Sequence, residues 1–147
     1  MIKDVIVIEG NVTNWDEALK LTSDQLFKKG YVKKSFYKGC IEREKKFPTG
    51  LPTIIPVAIP HTDSIHVNIP AVCVLRLEKP VSFNSMESAD ETVNVEYVFN
   101  MALNKENDQL NMIREIINVV QDNNFLSMAK TMPIDELRKV LCQKWLI

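Results

Sequence analysis

The chain has 147 residues, a formal net charge of −1, and 46% hydrophobic and 25% charged residues. This length suits one domain, residues 1–147, with a substantial core, and the composition argues against a disordered or fibrous chain. The near-zero net charge, without a long block of lysine and arginine, argues against nucleic-acid binding.

The cysteines and the first residues bear on where the protein works. Cys40, Cys73 and Cys142 are odd in number, far apart and in no CxxC spacing, which argues against a disulfide framework or a zinc site built on thiolates. The apolar start, from Met1 to Ile8, is short and broken by charge, so it is neither a signal peptide nor a membrane span. We therefore expect a cytoplasmic protein.

The first predicted elements are a strand and a helix. The β-branched run from Val5 to Ile8 predicts the strand. The helix begins after a cap at Thr13 or Asn14, with Glu17 in capping-box spacing from Asn14, and it ends at Gly30. Its apolar stripe is predicted to comprise Trp15, Ala18, Leu19, Leu26 and Phe27.

A second helix is predicted from about Lys33 to Lys46, and Pro48 is expected to end it. Arg43 would lie in its last turns, where the helix dipole favours a cation, and would lean toward the loop that carries His61. The alternative is that Arg43 and Glu44 form a solvated pair among other charges. The inner side of this helix is predicted to present Phe36, Tyr37, Cys40 and Ile41.

Both histidines and four of the seven prolines lie between residues 43 and 66. The apolar, β-branched run from Ile54 to Ile59 predicts a buried strand. Pro60 cannot donate a ladder hydrogen bond, so the strand should stop there and hold His61 at the mouth of a loop. The turn-forming residues 62–64 follow. The apolar side chains Ile54, Ile55, Ile59 and Ile65 are candidates for the rim of a docking patch around His61.

The remaining pattern predicts alternating strands and then helices. We first expect a strand from Ile69 to Leu77, a break at Lys79 and Pro80, a short edge segment from Val81 to Phe83 and a polar loop from Asn84 to Asp90. A central strand follows from Val93 to Leu103, with Tyr97, Phe99 and Met101 on one face. The rest is a helix from Asp108 to about Gln121, a short turn around Phe125 to Ala129 and a helix from Pro133 to Leu146; the inner face of the first of these helices is predicted to comprise Leu110, Ile113, Ile116, Ile117 and Val120. This order predicts an α/β (α+β) domain with a central mixed sheet flanked by helices.

His61 is the first candidate for chemistry. A neutral imidazole has an ordinary pKa of about 6.5, so much of it is an unprotonated nucleophile near neutral pH. Phosphoryl transfer onto such a ring needs little beyond positioning and donors for the phosphoryl oxygens. Two alternatives stay open from the residues alone. His61 could be a structural histidine at a strand end, or it could join Asp63 and His66 in a zinc or iron site.

The motifs in this region carry a family resemblance. The residues Arg43-Glu44, Pro48-Thr49-Gly50-Leu51 and Val57-Ala58-Ile59-Pro60-His61 resemble the enzyme IIA domain of the bacterial phosphoenolpyruvate:sugar phosphotransferase system, fructose/mannitol class. The fuller run that starts at Phe47 is most similar to the galactitol-type branch. The resemblance covers nearly the whole chain, and it implies a mixed sheet flanked by helices, with no cofactor and no metal.

The resemblance also implies partners and roles. His61 would accept a phosphoryl group from the carrier protein HPr and donate it to a cysteine of enzyme IIB. The membrane would be reached only indirectly, through enzyme IIC. Arg43 would neutralise phosphate charge, and its planar fork suits phosphate oxygens. Thr49 matches a hydroxyl position near the site.

One departure from the mannitol-type pattern concerns a second histidine. In the matching segment from Asn104 to Leu110, Gln109 fills its position, and an amide can donate a hydrogen bond but cannot take a proton. We therefore expect Gln109, with His66, to hold a phosphoryl oxygen in place of that histidine. The alternative for His66 is that it only bonds a neighbouring loop. The alternative function is a regulatory module whose phosphorylation state a protein partner reads.

Overall fold

The computed structural model describes residues 2–104 and 106–146. Its strands are β1 (Asp4–Gly10), β2 (Gly50–Leu51), β3 (Val57–Ala58), β4 (Ala71–Asn84) and β5 (Thr92–Ala102). Its helices are α1 (Trp15–Lys28), α2 (Phe36–Lys46), α3 (Glu106–Val120), α4 (Asn123–Ala129) and α5 (Ile134–Trp145), with a 3₁₀ turn at Ser64–His66. The strands form one sheet in the order β1-β4-β5-β3-β2.

The sheet is mixed. Strand β1 runs parallel to β4, and β3 runs parallel to β5, whereas the pairs β4/β5 and β2/β3 are antiparallel. Side chains that alternate along β4 and β5 therefore face two different layers. The predicted fold class, a mixed sheet flanked by helices, is confirmed.

The two layers are covered by different helices. Val72, Val74 and Phe99 belong to a core cluster with residues of α3, α4 and α5. Their neighbours Cys73 and Leu75 belong to the clusters on the other face, with residues of α1 and α2. The predicted face Tyr97, Phe99 and Met101 is confirmed, since all three lie in the first cluster. Helix α2, which carries Arg43, is thus held on the face opposite to the C-terminal helices.

The capping of α1 follows the sequence prediction. The side chain of Asn14 accepts a hydrogen bond from the Glu17 amide at 2.9 Å, and the Glu17 carboxylate accepts one from the Thr13 amide at 2.8 Å. Gly30 lies just after the helix with a φ of 77°, a value that favours glycine.

Two strand predictions need correction, and one strand was not predicted. The predicted strand from Ile54 to Ile59 is only the two-residue β3, because residues 53–55 form a bend and Pro56 has no amide hydrogen for the ladder. Strand β2, which pairs with β3, was not predicted. The predicted break at Lys79 and Pro80 is wrong, since β4 continues through it as one strand. The register between β4 and β5 shifts between Arg76 and Val81, and proline is tolerated at such an irregularity.

Three helix predictions also need correction. Phe27 and Leu110 were placed on inner faces, but both are largely exposed. The predicted positions of Ile116 and Val120 on the inner face of α3 are confirmed, and Ile113 packs against the same cluster. Met112 and Val119, which were not predicted there, are also buried on this face. The segment predicted as a short turn is the helix α4, which Asp122 caps by accepting a hydrogen bond from the Phe125 amide at 3.0 Å. No helix in the two described ranges combines the length and the apolar character that crossing a membrane would need.

The close approach of Gly50 in β2 to the backbone of Asn84 can be tested through the stability of a variant. A Cβ atom at this position would lie 2.6 Å from the backbone carbonyl oxygen of Asn84. We expect Gly50→Ala to lower the free energy of unfolding by about 2 kcal/mol, because the obstacle is backbone and overpacking of this kind is costly. Urea unfolding followed by circular dichroism measures the change. Gly10→Ala is the matched control, since its Cβ would first meet the flexible side chain of Leu21 at 3.1 Å; equal losses in both variants would contradict the prediction.

Candidate active site

His61 lies just beyond β3, at the end of the sheet predicted from the sequence. The amide of Ile59 donates to the carbonyl of Thr49 at 3.3 Å, and the amide of Met101 donates to the carbonyl of Pro60 at 3.0 Å. His61 itself forms an isolated parallel bridge with Met101. The backbone on both sides of the imidazole is therefore fixed by the sheet, although β3 is short.

The imidazole of His61 is held in one tautomer. Its side chain is buried, with 9% of the residue exposed, and Nδ1 lies 2.9 Å from the carbonyl oxygen of Ile59. A carbonyl only accepts hydrogen bonds, so Nδ1 carries the hydrogen and Nε2 of the neutral ring keeps its lone pair. Burial lowers the pKa of His61, and the charge of Arg43 lowers it further, against the opposing effects of the Ile59 contact and of Asp63. The neutral, nucleophilic ring is thus favoured at neutral pH.

A cavity of about 380 Å³ adjoins His61, and we call it the His61 cavity. It is lined by Arg43, Lys46, Phe47, Pro48, Thr49, His61, Ser85, Met86 and Ala89. These residues come from the end of α2, the segment before β2, the end of β3 and the connection between β4 and β5. Two cations and a neutral imidazole therefore meet in one small space, as an anion site requires.

Arg43 is half-buried in the last turns of α2, as predicted. Its guanidinium carbon lies 5.3 Å from the centre of the Phe47 ring, which supports the planar group from one side. Its Nε atom is buried and has no hydrogen-bond partner among the described residues. A buried donor without a partner is costly, so an anion that accepted from it would be stabilised.

Glu44 is a site residue that the sequence interpretation missed. Its carboxylate accepts from the Thr49 amide at 2.7 Å and from the Thr49 hydroxyl at 2.8 Å. Both residues are buried, so the predicted alternative of a solvated Arg43–Glu44 pair is wrong for Glu44. Burial raises the pKa of Glu44 to about 7, although both hydrogen bonds from Thr49 oppose this rise. Helical spacing could have identified it, because Glu44 continues the buried face of Phe36 and Cys40 at intervals of four.

His66 lines a different cavity of about 250 Å³, the His66 cavity, which shares Arg43, Lys46 and Phe47 with the first. Its Nδ1 atom is 2.7 Å from the Ser35 hydroxyl. A Cβ on Gly39 would lie 3.0 Å from the ring of His66. The absence of a side chain on Gly39 therefore lets the 3₁₀ turn after His61 pack closely on α2. His66 is not among the residues that line the His61 cavity.

Gln109 contacts the loop after His61. Its side-chain nitrogen donates to the carbonyl of Thr62 at 3.1 Å and to that of Leu103 at 3.4 Å. Both partners only accept, so the two amide hydrogens are committed to them. Gln109 is thus placed to fix the loop that carries His61, and to hold a phosphoryl oxygen it would have to exchange one of these contacts. Lys105, within the same predicted segment, lies outside the described residues.

The four isoleucines proposed as rim residues divide into two pairs. Ile54 and Ile65 are 81% and 68% exposed, whereas Ile55 and Ile59 are buried. Phe47, which lines the His61 cavity, is 61% exposed.

Within the described parts of the chain, no group of three or more histidine, cysteine or acidic side chains could hold a metal ion.

Comparison with known proteins gives consistent matches. The family model described as Phosphoenolpyruvate-dependent sugar phosphotransferase system, EIIA 2, matches residues 1–144. The galactitol-specific EIIA component of Escherichia coli K12 is 27% identical over 124 residues, 84% of this chain and 82% of that protein.

Solved structures share the fold. The enzyme IIAMTL of Escherichia coli, solved in a complex with phosphorylated enzyme IIBMTL, is 22% identical, with a TM-score of 0.74 over 97% of this chain and 99% of that chain. The nitrogen regulatory protein IIA-Ntr of Neisseria meningitidis is 20% identical, with a TM-score of 0.71 over 92% of each chain.

The raised pKa of Glu44 predicts a specific pH dependence of stability. The folded protein keeps the Glu44 proton up to about pH 7, whereas the unfolded chain releases it near the ordinary value of 4.5. The free energy of unfolding should therefore fall as pH rises between these values, by about 3 kcal/mol at most from this group. Glu44→Gln removes that titration. The free energy of unfolding of the variant, relative to that of the native chain, should therefore increase from pH 4.5 to pH 7 and stay constant above pH 7.

Urea unfolding at several pH values measures this difference. Glu42→Gln, which removes an exposed carboxylate two residues away, is the control and should keep the pH dependence of the native chain. A constant difference between the native chain and Glu44→Gln at all pH values would contradict the prediction.

Proposed function

The chain belongs to the phosphoenolpyruvate-dependent sugar phosphotransferase system EIIA 2 family, and we propose that it carries a phosphoryl group on His61, received from phospho-HPr and passed to a cysteine of enzyme IIB. The observation that carries the proposal is the fixed tautomer of His61. Its Nε2 lone pair is available while Nδ1 donates to Ile59. The relative specific for galactitol, at 27% identity, points to a sugar alcohol of that kind as the transported substrate.

The first step is an in-line displacement at phosphorus. Nε2 of His61 attacks the phosphoryl group of phospho-HPr, a new P–N bond forms, and the P–N bond to the donor histidine breaks with its electron pair returning to that ring. In the second step a thiolate of enzyme IIB attacks the same phosphorus, and His61 leaves as a neutral imidazole. Little covalent chemistry is asked of the protein besides positioning and charge.

The charge is supplied by the cations of the His61 cavity. Arg43 and Lys46 line it together with His61. A phosphoryl group on the ring carries up to two negative charges, which these side chains offset in a partly water-excluded space. The unpartnered Nε of Arg43 provides a hydrogen-bond donor whose own burial cost falls when it meets a phosphoryl oxygen.

Gln109 supports the site at one remove in this scheme, whereas Thr49 lines the His61 cavity itself. Gln109 fixes the backbone of Thr62, directly after His61. Thr49 joins the wall of the cavity to the sheet, because its carbonyl accepts from Ile59 and its hydroxyl contacts Glu44. His66 and Ser35 hold the next turn against α2. We assign Gln109, His66 and Ser35 to positioning, and we assign phosphate charge to Arg43.

Partner docking would use the exposed apolar side chains near His61. Ile54 precedes β3, Ile65 follows His61 in the 3₁₀ turn, and Phe47 and Met86 line the cavity. All four are substantially exposed. HPr and enzyme IIB must in turn bring a phosphohistidine or a cysteine to the same Nε2 atom, so both would cover this rim in separate encounters. The complex of enzyme IIAMTL with phosphorylated enzyme IIBMTL supports the second partner.

A phosphorylation assay tests the proposal. Incubation with phosphoenolpyruvate, enzyme I and HPr should add one acid-labile phosphoryl group, seen in the intact mass. His61→Gln should abolish the addition, because an amide is not nucleophilic enough to displace the donor histidine. His66→Gln is the matched control and should still be phosphorylated, since His66 lies outside the His61 cavity.

Two outcomes would contradict the proposal. Phosphorylation that persists in a folded His61→Gln variant would remove His61 as the acceptor. A folded native chain that is never phosphorylated would remove the carrier function. If HPr phosphorylates His61 but the phosphoryl group is not passed on to any enzyme IIB, the regulatory alternative is favoured instead.

A further inference from the structure

Glu44 touches the site only through Thr49. Its two carboxylate oxygens meet the amide and the hydroxyl of Thr49 at 2.7 and 2.8 Å. Thr49 lines the His61 cavity, whereas Glu44 is not among the lining residues. Both side chains are buried, with relative exposures of 5% and 3%. The path of contacts from Glu44 to the His61 cavity therefore runs through Thr49.

The two hydrogen bonds differ in what they allow. The amide of Thr49 can only donate, so Oε2 of Glu44 must accept in every state. The contact between Oε1 of Glu44 and Oγ1 of Thr49 can run in either direction. With Glu44 ionised, the hydroxyl must donate to it. With a proton on Oε1, the carboxyl donates instead, and the hydroxyl hydrogen of Thr49 is released to turn toward the cavity.

We propose that Glu44 is a positioning residue that sets the direction of the Thr49 hydroxyl, so that this hydroxyl donates to the phosphoryl group on His61 when Glu44 is protonated. The inference rests on the phosphocarrier function proposed above. Phosphoryl oxygens only accept hydrogen bonds, so they are served by the released hydroxyl hydrogen and repelled by the lone pairs that face them in the other state. At a pH where Glu44 of the free site is ionised, the phosphorylated site therefore holds one more proton, taken up from solvent by Oε1 of Glu44; at lower pH the free site already carries this proton.

The surroundings permit both states near neutral pH. Burial raises the pKa of Glu44 to about 7. On α2, the Cys40 thiol lies one turn earlier; burial raises its pKa and Glu44 adds to that rise, so this thiol stays neutral. From the segment before β2, Thr49 brings no titrating group. On the cavity side the charges are Arg43 and Lys46, and the pKa of His61 responds to Arg43 and Asp63. A phosphoryl group that accepts from the Thr49 hydroxyl favours neutral Glu44, because only the protonated carboxyl releases that hydroxyl hydrogen.

The test compares the native chain with Glu44→Gln. A glutamine reproduces the neutral arrangement, since its carbonyl oxygen can accept from the Thr49 amide while its nitrogen donates to the hydroxyl. We measure the rate of phosphorylation of each by phospho-HPr between about pH 6 and about pH 8, a range that spans the pKa of Glu44. The donor proteins are common to both reactions, so their own pH dependence cancels in the ratio of the two rates.

The ratio of Glu44→Gln to native rates should be near one at low pH. It should rise to roughly tenfold at the highest pH, because the native chain then loses one hydrogen bond to a charged group. Thr49→Val, which keeps the amide and loses the hydroxyl, should be slow and should lack the extra fall above neutral pH. In the Thr49→Val background, Glu44→Gln should change nothing. If the role of Glu44 were purely structural, Glu44→Gln would lower the phosphorylation rate by the same factor at every pH.

The outcomes separate this inference from the function on which it rests. Equal pH profiles for the native chain and Glu44→Gln, with both phosphorylated, overturn the role of Glu44 and leave the carrier function intact. If Glu44→Gln does not fold, a Thr49→Val profile that keeps the native fall above neutral pH overturns the inference on its own. A folded native chain that is not phosphorylated at any pH overturns both.

Discussion

The hydrogen bond between Nδ1 of His61 and the carbonyl of Ile59 determines what the site can do. It places the ring hydrogen on one nitrogen, leaves the other with a lone pair, and fixes the ring plane. The carbonyl is itself held, because the Ile59 amide donates to Thr49 and the next carbonyl accepts from Met101. A two-residue strand would be a weak support alone. Here it is anchored between β2 and β5, so the tautomer of the imidazole is set by the sheet.

The rest of the site places charged side chains in a partly buried space. Arg43 comes from the end of α2, where its cation is favourable to the helix dipole, and it leans on Phe47. Glu44, on the next position, is buried at a cost that its two hydrogen bonds from Thr49 partly offset. Gly39 lets the turn after His61 approach the same helix. One helix therefore carries a charge-bearing residue, a positioning residue and a docking surface for the loop.

Local signals in the sequence predicted the parts that depend on local physics. The caps of α1, the end of α2 at Lys46 and the end of the strand before His61 follow from capping chemistry, periodicity and proline geometry. The start of α2 was predicted near Lys33, but the helix begins at Phe36. The short strand β2 and the continuity of β4 could not be predicted in this way. They depend on pairing with strands far along the chain, and a proline that would break an isolated strand is absorbed by an irregularity of the ladder.

The same distinction applies to the site. Arg43, Thr49 and His61 were identified by their motifs, and the structure brings all three to one cavity. Glu44 was missed because its neighbours in sequence are charged, although its spacing of four from the buried Phe36 and Cys40 was a signal that it faces inward. The different surroundings of His66 and Gln109 were beyond the sequence, since each is decided by one contact across the chain, with Ser35 and with Thr62.

The central claim is that the Ile59 carbonyl directs phosphorylation to Nε2 of His61. Nitrogen-15 NMR of the phosphorylated protein, labelled at histidine, distinguishes the two ring nitrogens directly. We predict a phosphorus coupling on Nε2 of His61 and a protonated Nδ1 that keeps its hydrogen bond. Phosphorus on Nδ1, or a ring in which Nδ1 has lost its hydrogen, would contradict the account.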